Sequence, residues 1–108
     1  MAVEANGLVF IAGQVGVDPT SNRLVGQGTG AQTRQCLVNL GLILRDANLD
    51  YGDVAKTTVY LTDFDDFDEM NQIYREYFPA DPPARATVAV RSLAPGFRVE
   101  IEAIAAAR

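Results

Sequence analysis

Two segments near the C-terminus carry charge where strands ordinarily carry apolar or neutral side chains. In Pro83-Ala84-Arg85-Ala86-Thr87-Val88-Ala89-Val90, an extended chain puts Arg85, Thr87 and Ala89 on one face and Ala86, Val88 and Val90 on the other. In Val99-Glu100-Ile101-Glu102-Ala103-Ile104-Ala105, Glu100 and Glu102 share one face, against Val99, Ile101 and Ala103. Read as adjoining strands, the two segments bring a guanidinium close to a carboxylate. Such a pair can hold a substrate carboxylate and steer a water. Taken alone, an arginine and a glutamate on neighbouring strands are usually a cross-strand ion pair, so the spacing by itself is weak evidence for a site.

Several chemistries are closed to this chain. It has no histidine, which excludes histidine triads, histidine general bases and histidine-ligated metals. Acid–base work then falls to carboxylates, tyrosines, the single lysine Lys56 or water. A net charge of −5 with no Lys/Arg cluster disfavours binding to a phosphate backbone. The one cysteine, Cys36, forms no intrachain disulfide and fits a reducing, cytoplasmic setting. No apolar run approaches membrane-spanning length, and the N-terminus does not read as a signal peptide.

The 108 residues suit a single domain. Asn6-Gly7, between Ala2–Ala5 and Leu8–Ala12, predicts a tight hairpin because both turn residues tolerate positive φ. A short strand is possible at Arg23–Val25. Thr29-Gly30-Ala31-Gln32 has the spacing of a capping box, and a helix should run from there to about Ala47 with Leu37, Leu40, Leu44 and Ala47 on one face. Val54–Leu61 is β-branched and aromatic and reads as a strand. Asp63 should cap a second helix ending near Phe78, with Phe67, Met70, Tyr74 and Phe78 as its apolar stripe. The order ββ(β)αβαββ predicts one α+β domain over 1–108, with a single sheet and both helices on one face. The other face mixes Val and Thr with charge and has no intrachain cover, so a homo-oligomer is expected.

Other candidates read as structural. The acidic run Asp63, Asp65, Asp66, Asp68 and Glu69 lacks the glycine and distal glutamate of a calcium loop, and it suits a helix N-terminus. Glycines 26, 28 and 30 match no phosphate-binding spacing and read as a flexible loop. Cys36 reads as a small buried residue, and Asn71, taken alone, as a surface residue of the second helix.

The run of letters adds more than the spacing does. Pro-Ala-Arg-x-x-Val-x-Val followed by Val-Glu-Ile-Glu-Ala-Ile-Ala resembles the closing signature of the Rid (YjgF-type) family of imine and enamine deaminases, often labelled endoribonuclease L-PSP. Leu8 to Val15, Asp53 to Asp63 and the Phe67–Asn71–Tyr74 pattern resemble the family's early strand, central strand and second helix. The resemblance implies a chorismate-mutase-like fold, a homotrimer with sheets forming an inner barrel, and sites in the clefts between subunits. It implies hydrolysis of 2-imino or enamine acids to 2-keto acids and ammonia, with no metal or organic cofactor. Arg85 matches the family's carboxylate-binding arginine, and Glu100 the glutamate that orients the attacking water. Backbone groups near Thr87 would position the substrate nitrogen, and Gly13 and Asn71 match cleft-lining positions.

The chain departs from the family pattern in three places. A Gly-Pro-Tyr-Ser-type segment before the first strand is absent, with Tyr51 the first tyrosine, so either the start was assigned late or this branch works without that wall. Ala12 replaces a serine before Gly13-Gln14, and Thr87 replaces a cysteine. The competing expectations are a non-catalytic binder of small carboxylates through Arg85 and, disfavoured by the absent histidine and acidic balance, a ribonuclease.

Overall fold

The computed structural model describes residues 1–107. Strand β1 (Ala2–Ala5) turns at Asn6 and Gly7, with φ of 53° and 79°, into β2 (Leu8–Val15). This is the predicted hairpin. A short pair, β3 (Val17–Asp18) with β4 (Arg23–Leu24), leads into helix α1 (Thr29–Asp46). Strand β5 (Val54–Leu61), helix α2 (Phe67–Tyr77), strand β6 (Ala84–Ala89) and strand β7 (Val99–Ala106) complete the chain.

The main sheet has the order β1-β2-β7-β5-β6. Only β5 and β6 run parallel, which makes the sheet mixed. Both helices pack on one face. Val9, Ile11, Val59, Leu61, Val99 and Ile101 meet Leu37, Leu40 and Leu44 of α1 and Met70 and Tyr74 of α2 there. Leu40 is fully enclosed, and its truncation to alanine would cost about 2–5 kcal/mol. Cys36 is buried as expected, with its thiol against the Val99 carbonyl.

Among the described residues, none covers the opposite face. Val3, Phe10 and Val88 project from it and are 60%, 41% and 40% exposed. Tyr60, Glu100 and Glu102 share that face.

Two local expectations change. Thr29 and Gln32 do not form a capping box, because Gly28 is the N-cap and no side chain caps it. Gln32 is buried and instead donates to the carbonyls of Gly26 and Gly96 and accepts from the Arg98 amide. Tying down the 94–98 loop leaves no polar group for the helix end. Asp63 caps a short 3-10 turn, Phe64–Asp66, and α2 begins only after it.

Candidate active site at the Arg85 edge

β6 is an edge strand, and its parallel register with β5 sets Arg85 opposite Thr57. Thr57 lies on the helix-covered face, so Arg85 emerges beneath α2 rather than on the open face. Residues 67, 71 and 74 form one stripe of α2, spaced at four and three residues. That stripe receives the guanidinium. Nη1 of Arg85 donates to Oδ1 of Asn71 at 2.7 Å. The guanidinium carbon lies 4.6 Å from the Tyr74 ring centre and 5.5 Å from that of Phe67. Tyr74 is itself held from below, its hydroxyl 2.7 Å from Oγ1 of the buried Thr57. Burial pushes the Tyr74 phenol above its ordinary value, against the bond to Thr57 and the Arg85 charge.

Arg85 is half-buried and, among the described residues, has no carboxylate partner. Asn71 occupies one nitrogen and leaves the Nε–Nη2 edge, a two-donor fork of the kind that matches a carboxylate. A cleft of about 540 Å³ opens beside it, lined by Asn71, Tyr74, Phe78, Pro82 and Pro83 as well as Arg85. Beside Arg85 on the same face of β6, Thr87 has a buried hydroxyl with no hydrogen-bond partner among the described residues.

Glu100 is elsewhere. β5 separates β6 from β7, so the two segments are not adjoining strands as the sequence reading supposed. Tyr60 pairs with Glu100 on one side and Val88 on the other, which puts Glu100 on the open face, opposite to Arg85. Two strand spacings, roughly 9.5 Å, and the sheet itself separate them. Within one chain they therefore form no ion pair. Glu100 is instead joined by Gly13. The β2–β7 register slips between Ile11 and Gln14, and at this bulge a Cβ on Gly13 would strike the Glu100 carboxylate. Between β5 and β7, the Tyr60 hydroxyl donates to Glu102 at 3.2 Å. Partial burial, then the Glu102 and Glu100 charges, push the Tyr60 phenol above its ordinary value.

The candidate residues thus fall into two groups, Arg85, Asn71 and Thr87 on one face and Glu100 with Gly13 on the other. Sequence reasoning took Phe67 and Tyr74 for core and missed their contact with Arg85. The available signal was Asn71, a polar residue set between two aromatic ones on a single helical stripe. The acidic run serves as caps and clasps: Glu69 accepts from the Gly30 amide at 2.7 Å, and Asp66 accepts from Arg98 at 2.7 Å. Among the described residues, no group of three or more His, Cys, Asp or Glu is gathered to hold a metal, and no helix is long and apolar enough to cross a membrane.

A family model described as Endoribonuclease L-PSP matches residues 1–107. The chain is 49% identical over 104 residues to the 2-iminobutanoate/2-iminopropanoate deaminase of Mus musculus, a match covering 96% of this chain and 77% of that protein. The crystal structure of RidA from the Antarctic bacterium Psychrobacter sp. PAMC 21119 superposes with a TM-score of 0.92 at 38% identity, covering 97% of this chain and 85% of that one. That of E. coli TdcF with bound serine gives a TM-score of 0.91 at 35% identity, covering 97% and 84%.

Proposed function

The chain belongs to the endoribonuclease L-PSP family, the Rid (YjgF-type) proteins, and on that premise we propose that it hydrolyses 2-imino acids to 2-keto acids and ammonia. The observation that carries this reading is Arg85: a half-buried guanidinium with a two-donor fork left open, no acidic partner among the described residues and an open cleft beside it. A buried charge is ordinarily paired, so an unpaired one at a cleft is suited to an anion from outside. A 2-imino acid presents a carboxylate one bond from its C=N carbon. Holding the first fixes the second.

Hydrolysis then needs one oriented water. The water oxygen bonds to the imine carbon while the π pair of C=N moves to nitrogen. Glu100 takes the water proton and passes it to nitrogen. Backbone groups at Thr87 hold that nitrogen. The C–O–H proton then passes to the amine nitrogen as the C–N bond breaks and the C=O bond forms, so ammonia leaves and the keto group remains. Imine plus water gives keto acid plus ammonia. Because an imine is already a strong electrophile, no metal or organic cofactor is required.

Glu100 and Gly13 must come to Arg85 from a neighbouring copy, since one chain carries them on opposite faces. A homotrimer with sites between subunits does this. The open face, with Val3, Phe10 and Val88 exposed, supports such an assembly because it needs a cover. The serine in the TdcF structure is a small carboxylate and fits the same role for the cleft.

The test is a coupled assay in which an amino-acid oxidase or dehydratase generates 2-iminobutanoate or 2-aminoacrylate, and keto-acid release is followed. Acceleration is expected, abolished in Arg85→Ala and in Glu100→Ala, with keto-acid binding surviving only in the latter. Binding without acceleration would favour a non-catalytic carboxylate-binding protein. Unchanged carboxylate affinity in Arg85→Ala would refute the site.

A further inference from the structure

The carboxylate hook is held in an unusual way. An arginine that must meet a substrate carboxylate cannot be neutralised beforehand by a carboxylate of its own chain, because the two anions would compete. Here three neutral groups hold it: the Asn71 amide on Nη1 and the Tyr74 and Phe67 rings at 4.6 and 5.5 Å. Aromatic faces attract a cation without neutralising it and without occupying its N–H donors. They do set the plane of the guanidinium, and the direction of the free Nε–Nη2 edge follows from that plane. Of the two rings, Tyr74 is nearer and far more buried, at 3% exposure. Its hydroxyl is bonded at 2.7 Å to Thr57, itself fully buried on the central strand β5 and in register with Arg85.

We propose that Tyr74 is a positioning residue for the site: pinned by Thr57, its ring sets the plane in which Arg85 presents its fork to a substrate carboxylate. This rests on the reading of Arg85 as that hook. Orientation thus runs from the core outward, Thr57 to Tyr74 to Arg85. Asn71 supplies only the in-plane anchor.

Two readouts test this in the intact, folded chain, the affinity for 2-oxobutanoate and the NMR signal of the Arg85 Nε–H. In the wild type that signal should be displaced by the ring current of Tyr74. In Tyr74→Leu, the displacement should collapse and 2-oxobutanoate affinity should fall about tenfold, the weight of a well-formed cation–π contact. KM should rise more than kcat falls. An unchanged signal and affinity in the folded variant would overturn the proposal. If Tyr74→Leu does not fold, Thr57→Val decides. It keeps the ring but releases its tether, so the Nε–H signal should shift towards that of a solvated arginine and affinity should drop about threefold. Retention of both wild-type values would refute the role of the tether. Should Arg85→Ala bind 2-oxobutanoate as the wild type does, the hook reading fails, and the Nε–H shift still reports whether Tyr74 orients Arg85.

Discussion

Gly13→Ala separates folding from catalysis. The φ of Gly13 is outside the left-handed region, so alanine meets no backbone strain there. The obstacle is the Glu100 side chain, whose Cγ and Cδ would lie 2.9 and 2.7 Å from the new Cβ. Clearing to a carbon–carbon distance of about 3.5–4.0 Å moves the carboxylate by roughly 1 Å. That atom is the end of a flexible chain, and an off-rotamer glutamate costs only about 0.5–1.5 kcal/mol. Against this, alanine reduces the entropy of the unfolded chain and stabilises by about 0.4–1 kcal/mol. The two terms nearly cancel, so Tm should move by no more than a few degrees. With Glu100 orienting the water as proposed, catalysis has no such compensation, since a misplacement of about 1 Å costs on the order of a hundredfold. Thermal unfolding and the coupled imine assay on one preparation give both numbers. A folded Gly13→Ala with kcat within twofold of the wild type would refute the role given to Glu100, and a variant that fails to fold would refute the steric accounting.

Three further outcomes are expected. Thr87→Val removes a buried hydroxyl that has no partner among the described residues, and because such a group costs about 1–3 kcal/mol, Tm should rise while imine turnover persists through the proposed backbone contact; lost turnover at unchanged keto-acid affinity would show that the hydroxyl itself acts. The Asp66 carboxyl is held below its ordinary 3.8: burial pushes it up, but hydrogen bonds from Arg98 and Thr29 outweigh that. A depressed folded-state value means stability that is present above 3.8 and lost as pH falls through the lower folded value, so acid unfolding between pH 4 and 2 should be steeper in the wild type than in Asp66→Asn. Burial first, then the Glu100 charge, push the Cys36 thiol up to about 12, so iodoacetamide at pH 8 should modify it only after unfolding; rapid labelling of the native chain would contradict the packing of α1 on the sheet.

Much of the fold was legible because its signals are local. A tight hairpin turn needs positive φ at both central residues, and Asn6 and Gly7 tolerate it, at 53° and 79°. In β7, Val99, Ile101 and Ala103 alternate with Glu100 and Glu102, so the inner face reads directly. β6 has no such contrast. Ala86 and Val88 are apolar yet face outward, while Arg85 and Thr87 face the helices. Period-two alternation shows which residues share a face but not which face is inside, and it is silent on strand order. Insertion of β5 between β6 and β7 is a tertiary outcome of the parallel β5–α2–β6 crossover. That is why the constellation was legible as residues but not as geometry. Gln32 was misread for a related reason. Its capping-box spacing is genuine, but the loop at Gly96 and Arg98, more than sixty residues on, competes for its side chain.

The most direct test of a site assembled from two copies is complementation between inactive variants. Arg85→Ala and Glu100→Ala are each expected to be inactive in the imine assay. Unfolding them together, refolding the mixture and measuring keto-acid release places intact Arg85 and intact Glu100 at one site wherever the right copies are neighbours. With random assembly this restores about a quarter of the wild-type rate. A mixture as inactive as its components, in refolded oligomers shown to contain both chains, would contradict the account.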